Sequence, residues 1–248
     1  MIHQHGWASV PHETTRQAPI RDNIRMGTLY LVRHGQASFG ADDYDQLSEL
    51  GERQSRQLGA YFRDHGRQFE AVITGSLKRH HQTWQGICEG LNHADPQALV
   101  WPGLNEYDSH AVIHAIHPEP LAKPDTPELY KHHFGLLRKG LQAWMRGQSQ
   151  PQGMPTYPDF VRGVISALAH VQAQHSGDVL VVSSGGPIAT AVGHVLQTPA
   201  EVTIELNMRI RNTAVCEMHY SPKRLSLVSH NTINHLDGLA HQGWVTYT

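Results

Sequence analysis

The sequence predicts an α/β domain built on a mostly parallel sheet, with a cap inserted near its middle. Two observations carry this. From Thr28 onward, short apolar runs alternate with helical periods, the rhythm of successive strand-helix-strand units. Between Tyr107 and Tyr157 that rhythm disappears, and Pro, His and Gly gather around one helix opened by Thr126-Pro127-Glu128. At 248 residues the chain is long enough to bury one sizeable core without a second domain. The expected division is a flexible tail over 1–26, a domain over 27–248 and a cap over about 107–157.

The tail is rich in His, Gln, Thr, Arg and Pro and has no apolar period. The first strand is Leu29-Tyr30-Leu31-Val32, ending at Arg33-His34-Gly35. Ser48 then caps a helix with Glu49 and Glu52 in its first turn, an apolar stripe of Leu58, Tyr61 and Phe62, and Gly66 at its end. The second strand is Ala71-Val72-Ile73-Thr74. It leads into a helix whose Trp84, Ile87, Cys88 and Leu91 fall on one face. A third strand, Ala98 to Trp101, stops at Pro102-Gly103. Beyond the cap, a helix from Pro158 carries Phe160, Val164, Leu168 and Val171 on one side. A fourth strand, Asp178 to Ser183, opens through Ser184-Gly185-Gly186-Pro187 into a helix bearing Ile188, Val192 and Val195. Three further segments, Val202 to Ile210, Ala214 to His219 and Leu225 to Val228, read as strands closing the sheet, at least one of them antiparallel.

A net charge of -2 supplies no global field for nucleic acid or an anionic membrane, so any anion site is local. Cys88 and Cys216 are the only cysteines; with no disulfide framework they fit a reducing compartment, and the expected location is the cytoplasm. No apolar run reaches the roughly 18 residues of a membrane helix, and the N-terminus lacks a signal-type apolar segment.

Four segments follow strands and carry charge or glycine: Arg33-His34-Gly35, Ser76 to Arg79, Glu106, and Ser184-Gly185-Gly186. Ligands of open α/β sheets bind outside the carboxyl ends of strands, where these segments can converge. An imidazole attacks phosphorus with one nitrogen when the other is held protonated, and a tight turn offers carbonyls for that, which makes His34 the candidate nucleophile. Planar guanidinium forks suit the equatorial phosphoryl oxygens, hence Arg33 and Arg79. Gly35, Gly185 and Gly186 let backbone N–H groups approach a phosphate, and Gln36, Ser38 and Ser184 are further candidate contacts. Glu106, in partly buried surroundings, is the candidate proton donor to the leaving oxygen. Taken singly, Arg79 also fits a solvated helix face, Glu106 a solvated loop, Ser38 a loop-shaping role and Gly185-Gly186 a plain turn. The spacing of His110, His114 and His117 suits one helical face, but Pro118 and the lack of nearby carboxylate or cysteine partners make it a poor metal site. No metal and no cofactor are expected.

These residues also carry a resemblance. Leu31-Val32-Arg33-His34-Gly35-Gln36, Leu47-Ser48-x-x-Gly51-x-x-Gln54, Gly75-Ser76-Leu77-Lys78-Arg79-His80-His81-Gln82-Thr83 and Leu104-x-Glu106 resemble, in order, signatures of the histidine phosphatase superfamily, the phosphoglycerate-mutase-like proteins. In the third segment the family usually has Ser-x-Leu-x-Arg-Ala-x-Gln-Thr; the spacing from Arg79 to Gln82-Thr83 is kept. The resemblance spans about Thr28 to Leu236, with the cap unmatched. It implies a three-layer α/β/α fold, His34 as phosphohistidine, Arg33 and Arg79 as phosphate clamps and Glu106 as proton donor. It also exposes a departure: where the family has His-Gly-Gly after the fourth strand, this chain has Ser184-Gly185-Gly186.

Replacing a charged donor by a hydroxyl forfeits roughly 1 to 2 kcal/mol of transition-state stabilisation, one to two decades in rate. The site then turns over slowly, borrows a histidine from the cap, or serves as a phosphate-binding module. The expected function is therefore a phosphatase acting on a small phosphorylated metabolite or a phosphoprotein and releasing inorganic phosphate. The alternatives are a weakly active or inactive binding or regulatory protein and, ranked last for want of a Glu-Arg-His-Tyr-Gly motif after Glu106, a phosphoglycerate mutase. Neither nucleic acid nor membrane is an expected partner, and a homodimer is compatible with the sequence.

Overall fold

The computed structural model describes residues 26–38, 45–94, 97–122 and 125–247. The expected tail, but for Met26, lies outside them. Six strands form one mixed sheet: β1 (Gly27–Arg33), β2 (Ala71–Thr74), β3 (Leu99–Val100), β4 (Val179–Ser183), β5 (Val215–Ser221) and β6 (Arg224–Thr232), in the order β3-β2-β4-β1-β5-β6. The first four in that order are parallel, while β5 and β6 are antiparallel. β1 and β4 lie side by side at the centre, with Arg33 opposite Ser183, so the residues that follow each strand are lateral neighbours.

The helices are α1 (Glu49–Asp64), α2 (Lys78–Leu91), α3 (Ser109–His114), α4 (Pro127–Met145), α5 (Tyr157–Gln174), α6 (Gly185–Leu196) and α7 (Ala200–Arg209). Alternation along the central strands separates them into two outer layers. Tyr30, Val32, Leu180 and Val182 pack with Leu58 and Phe62 of α1 and Trp84 and Ile87 of α2. Leu29, Leu31, Val179 and Val181 pack with Trp144 of α4, Val164 and Leu168 of α5 and Ile188 and Val192 of α6. The architecture is three-layer α/β/α.

Capping follows the sequence. The Ser48 hydroxyl accepts from the Gly51 amide at 3.1 Å, and Gly66 leaves α1 at a φ of +64°. Thr126 accepts from Leu129 at the start of α4, with Pro127 in its first turn.

Three expectations are corrected. Val202 to Ile210 is not a strand but the helix α7. Its Val202-Thr203-Ile204 run has strand propensity, but burial of Thr203 and Ile204 against α6 overrides it, with the Thr203 hydroxyl beside Gly193. Glu201 and Glu205 on its other side pair with Arg146 and Arg138 of α4. The cap segment holds two helices rather than one: Asp108 caps the short α3 by accepting from His110 and Ala111. The third strand is shorter than expected, Leu99–Val100, with both side chains exposed at the sheet edge.

Candidate active site

His34 follows β1 and is 2% exposed. Its amide donates to the Ser183 carbonyl at 2.9 Å, and its own carbonyl accepts from Asn212 Nδ2 at 3.1 Å and from the Thr213 amide. The ring nitrogen Nδ1 is 2.7 Å from the Gly35 carbonyl. A carbonyl only accepts, so Nδ1 carries the hydrogen and Nε2 keeps its lone pair. Burial, then the charges of Arg33 and Arg79 and the nearby His80, hold the imidazole well below its usual value of 6.5. His34 is a neutral, oriented base at physiological pH.

Gly35 has no room for a side chain, because a β-carbon there would lie 2.4 Å from the Gly51 carbonyl oxygen. Its amide donates to the Thr83 hydroxyl at 3.0 Å, and that hydroxyl donates to the Arg79 carbonyl at 2.7 Å. Thr83, which the sequence reading noted only as a family match, thus links the turn after β1 to the first turn of α2. Arg79 is nearly buried there, and its Nη1 forms a 2.7 Å ion pair with Asp45. Arg33 donates through Nη1 to the carbonyls of Ile210 and Tyr247. Asp45 and these backbone contacts carry no sequence motif and were not foreseen.

Glu106 reaches the start of α6. Its carboxylate accepts from the Gly186 amide at 3.1 and 3.2 Å and from the Tyr107 amide at 3.2 Å. A β-carbon on Gly186 would sit 2.2 Å from Oε1, so the glycine is what admits the carboxyl. Burial raises the Glu106 carboxyl above 4.5, against the lowering effect of the Gly186 amide and of Arg79 and Arg33. The same two guanidinium charges therefore act on both His34 and Glu106. Tyr107, Trp144 and Tyr157 of the 107–157 segment, together with Phe160 of α5, wall a small pocket beside Gly186.

The remaining candidates have local partners. The Gln36 side-chain oxygen accepts from Ser48, and the Ser38 hydroxyl donates to the Leu47 carbonyl. Gly185 packs against Asn207, whose side chain donates to the Tyr107 hydroxyl. Helix α6 opens at Gly185, so that both glycines belong to its first turn, with fully buried Ser184 as its N-cap. The Ser184 hydroxyl is 2.7 Å from Nε2 of His80. The histidine that meets Ser184 thus comes from α2, not from the cap. A signal was available: a histidine directly follows Arg79, where the family pattern has alanine. α3 ends at His114, so His117 lies beyond the helix, and no three His, Cys, Asp or Glu among the described residues are grouped to hold a metal ion. No helix among the described residues is long and apolar enough to cross a membrane.

Comparison with known proteins identifies the family. The family model described as histidine phosphatase superfamily (branch 1) matches residues 29–233. A 2,3-bisphosphoglycerate-dependent phosphoglycerate mutase of Rhizobium etli is 35% identical over 203 residues, covering 78% of this chain and 90% of the relative. Among solved structures, phosphoserine phosphatase from Entamoeba histolytica superposes with a TM-score of 0.62 at 16% identity, covering 85% of this chain and 99% of that one. Alpha-ribazole phosphatase from Shigella flexneri gives 0.59 at 18% identity, covering 83% and 96%. The sheet order, the neighbouring ends of β1 and β4 and the match across 29–233 lead to one conclusion: the chain belongs to the histidine phosphatase superfamily.

Proposed function

We propose that the protein is a phosphatase that hydrolyses a phosphomonoester through a phosphohistidine on His34. The observation that carries this reading is the His34 geometry: Nδ1–H fixed on the Gly35 carbonyl, Nε2 with its lone pair, and an imidazole kept neutral by burial and two flanking arginines. Nε2 attacks phosphorus while the bond from phosphorus to the ester oxygen breaks. Arg33 and Arg79 stabilise the charge on the equatorial oxygens, with Arg79 exchanging Asp45 for the phosphoryl group. Glu106 enters protonated, as its raised carboxyl favours, and gives its proton to the leaving alkoxide. The resulting carboxylate takes a proton from water, which attacks the phosphohistidine. Inorganic phosphate leaves and neutral His34 returns.

The substrate is a small phosphorylated metabolite or a phosphoprotein met in the cytoplasm, and the 107–157 segment selects it. Two guanidinium groups supply the positive charge, so the reading needs no metal and predicts full activity after chelation. A second reading, phosphoglycerate mutase, is favoured by the name of the 35% identical relative. Against it stands the lack of a Glu-Arg-His-Tyr-Gly motif after Glu106. A phosphomonoester panel scored for released phosphate, run beside 3- to 2-phosphoglycerate interconversion, decides. Phosphate release exceeding interconversion on every ester supports the phosphatase. Interconversion outpacing release makes it a mutase, and neither activity leaves a phosphate-binding protein.

A further inference from the structure

Two side chains that meet beside His34 have no part in the chemistry above. His80 lies in the first turn of α2 and is fully buried. Its ring centroid is 5.8 Å from that of His34, and its Nε2 is 2.7 Å from the Ser184 hydroxyl. Ser184 caps α6, where a serine side chain commonly accepts from an amide of its own helix, yet it makes no such bond. Its hydroxyl is turned to His80 instead.

The hydrogen in this pair can be located. Burial, and after it the Arg79 and His81 charges, keeps His80 neutral, so only one of its nitrogens carries a hydrogen. Nδ1 is buried without a hydrogen-bond partner among the described residues and is closed in by Gly75, where a β-carbon would lie 2.3 Å away. A donor buried against that backbone would be left unsatisfied, which places the hydrogen on Nε2, where the Ser184 oxygen accepts it. The hydrogen of Ser184 is then free to point away from the imidazole. Because Arg33 and Ser183 are paired in register, Ser184 lies laterally beside His34.

We propose that His80 and Ser184 form a single donor unit, in which His80 Nε2–H anchors the serine oxygen and the Ser184 hydroxyl donates to an oxygen of the phosphoryl group in transfer to His34. Ser184 touches the phosphoryl group, and His80 is a positioning residue acting through it. The proposal rests on His34 being the phosphoryl acceptor.

The test is a double-mutant cycle on phosphate release from a chromogenic aryl phosphate, with His34→Ala as the control for the underlying reading and melting temperature recorded throughout. Ser184→Ala is expected to lower kcat about tenfold, the worth of one neutral hydrogen bond, with KM little changed. His80→Ala should lower kcat similarly in the parent but less than about twofold in the Ser184→Ala background. His80→Gln, whose amide N–H reaches the place of Nε2–H, should keep kcat within about threefold of the parent while Ser184 is present. It decides the matter if His80→Ala fails to fold. Losses that multiply in the double variant, or a Gln variant as slow as the alanine variant, give His80 a packing role only and overturn the proposal. So does an inactive His34→Ala protein beside Ser184→Ala and His80→Gln variants that both match the parent, with the His34 reading left standing. If His34→Ala retains the parent rate, the reading of His34 fails and takes the proposal with it.

Discussion

The ends of β1 and β4 lie side by side, yet they are organised by different means. After β1, the His34 ring is oriented by the carbonyl of the next residue, while Gly35 packs closely against Gly51 of α1. After β4, the groups come from elsewhere in the chain: Glu106 is seated on the Gly186 amide from 80 positions away, and His80 meets Ser184 from 104 positions away. The orientation of the His34 ring is a local device, although its turn is also tied to Thr83 and Asn212, whereas the β4 end is an assembled one. A local device is written in adjacent letters and should respond first to changes in those letters. An assembled one should respond to changes at either partner.

The largest expected effect lies at the local end. His34→Ala should lower phosphate release by at least about a thousandfold, since no other group replaces the nucleophile. A smaller loss would mean that the β1 end does not carry the chemistry. At the assembled end, Glu106→Gln should cost about a hundredfold in kcat, the scale of a positioned proton donor, while keeping an oxygen for the Gly186 amide. The same variant should gain stability. The raised carboxyl favours the protonated form in the fold, so the parent's advantage is complete below pH 4.5 and declines as pH rises through the raised value. The difference in melting temperature, variant minus parent, should grow with pH across that window and then level off. A difference that stays constant with pH would show that Glu106 is not buried as described.

Gly186→Ala is expected to act like a partial Glu106 loss, about tenfold or more in kcat, because its β-carbon displaces the carboxyl. An unchanged rate would detach Glu106 from the start of α6. The smallest effect concerns stability and the layer of buried histidines that includes the site. His34 and His80 at the site, and His235 behind it on Thr213, are buried and neutral, with His235 lowered to about 3. Each contributes stability that is present above pH 6.5 and lost as pH falls, by up to about 1.4 kcal/mol per unit. Acid unfolding should be shallower in His235→Gln than in the parent, a comparison read from chemical denaturation at pH 7 and pH 5. Equal slopes would mean that His235, which meets Thr213 at 2.8 Å, takes up its proton freely in the fold.

The same contrast explains what was legible in the sequence. The buried strands β1, β2 and β4 and the caps Ser48 and Thr126 are signalled by contiguous residues, and so is the placement of His34 against a turn carbonyl. Val202-Thr203-Ile204 misled because its helix depends on α6 and α4, which propensity does not contain. α3 was missed because its cap, Asp108, lies in a segment whose Pro and His content masked the helical period. The His80–Ser184 contact joins elements 104 positions apart. Only the departures from family pattern at these two residues hinted at it, and they did not say that the two belong together.

The account stands most directly on a covalent bond to His34. Rapid quenching of the parent enzyme with phosphorus-labelled aryl phosphate should trap protein-bound label that is labile in acid, stable in alkali and mapped to the peptide carrying His34. The His34→Ala variant should hold no such label. Label that persists in that variant, or turnover in the parent with none trapped at any quench time, would contradict the account.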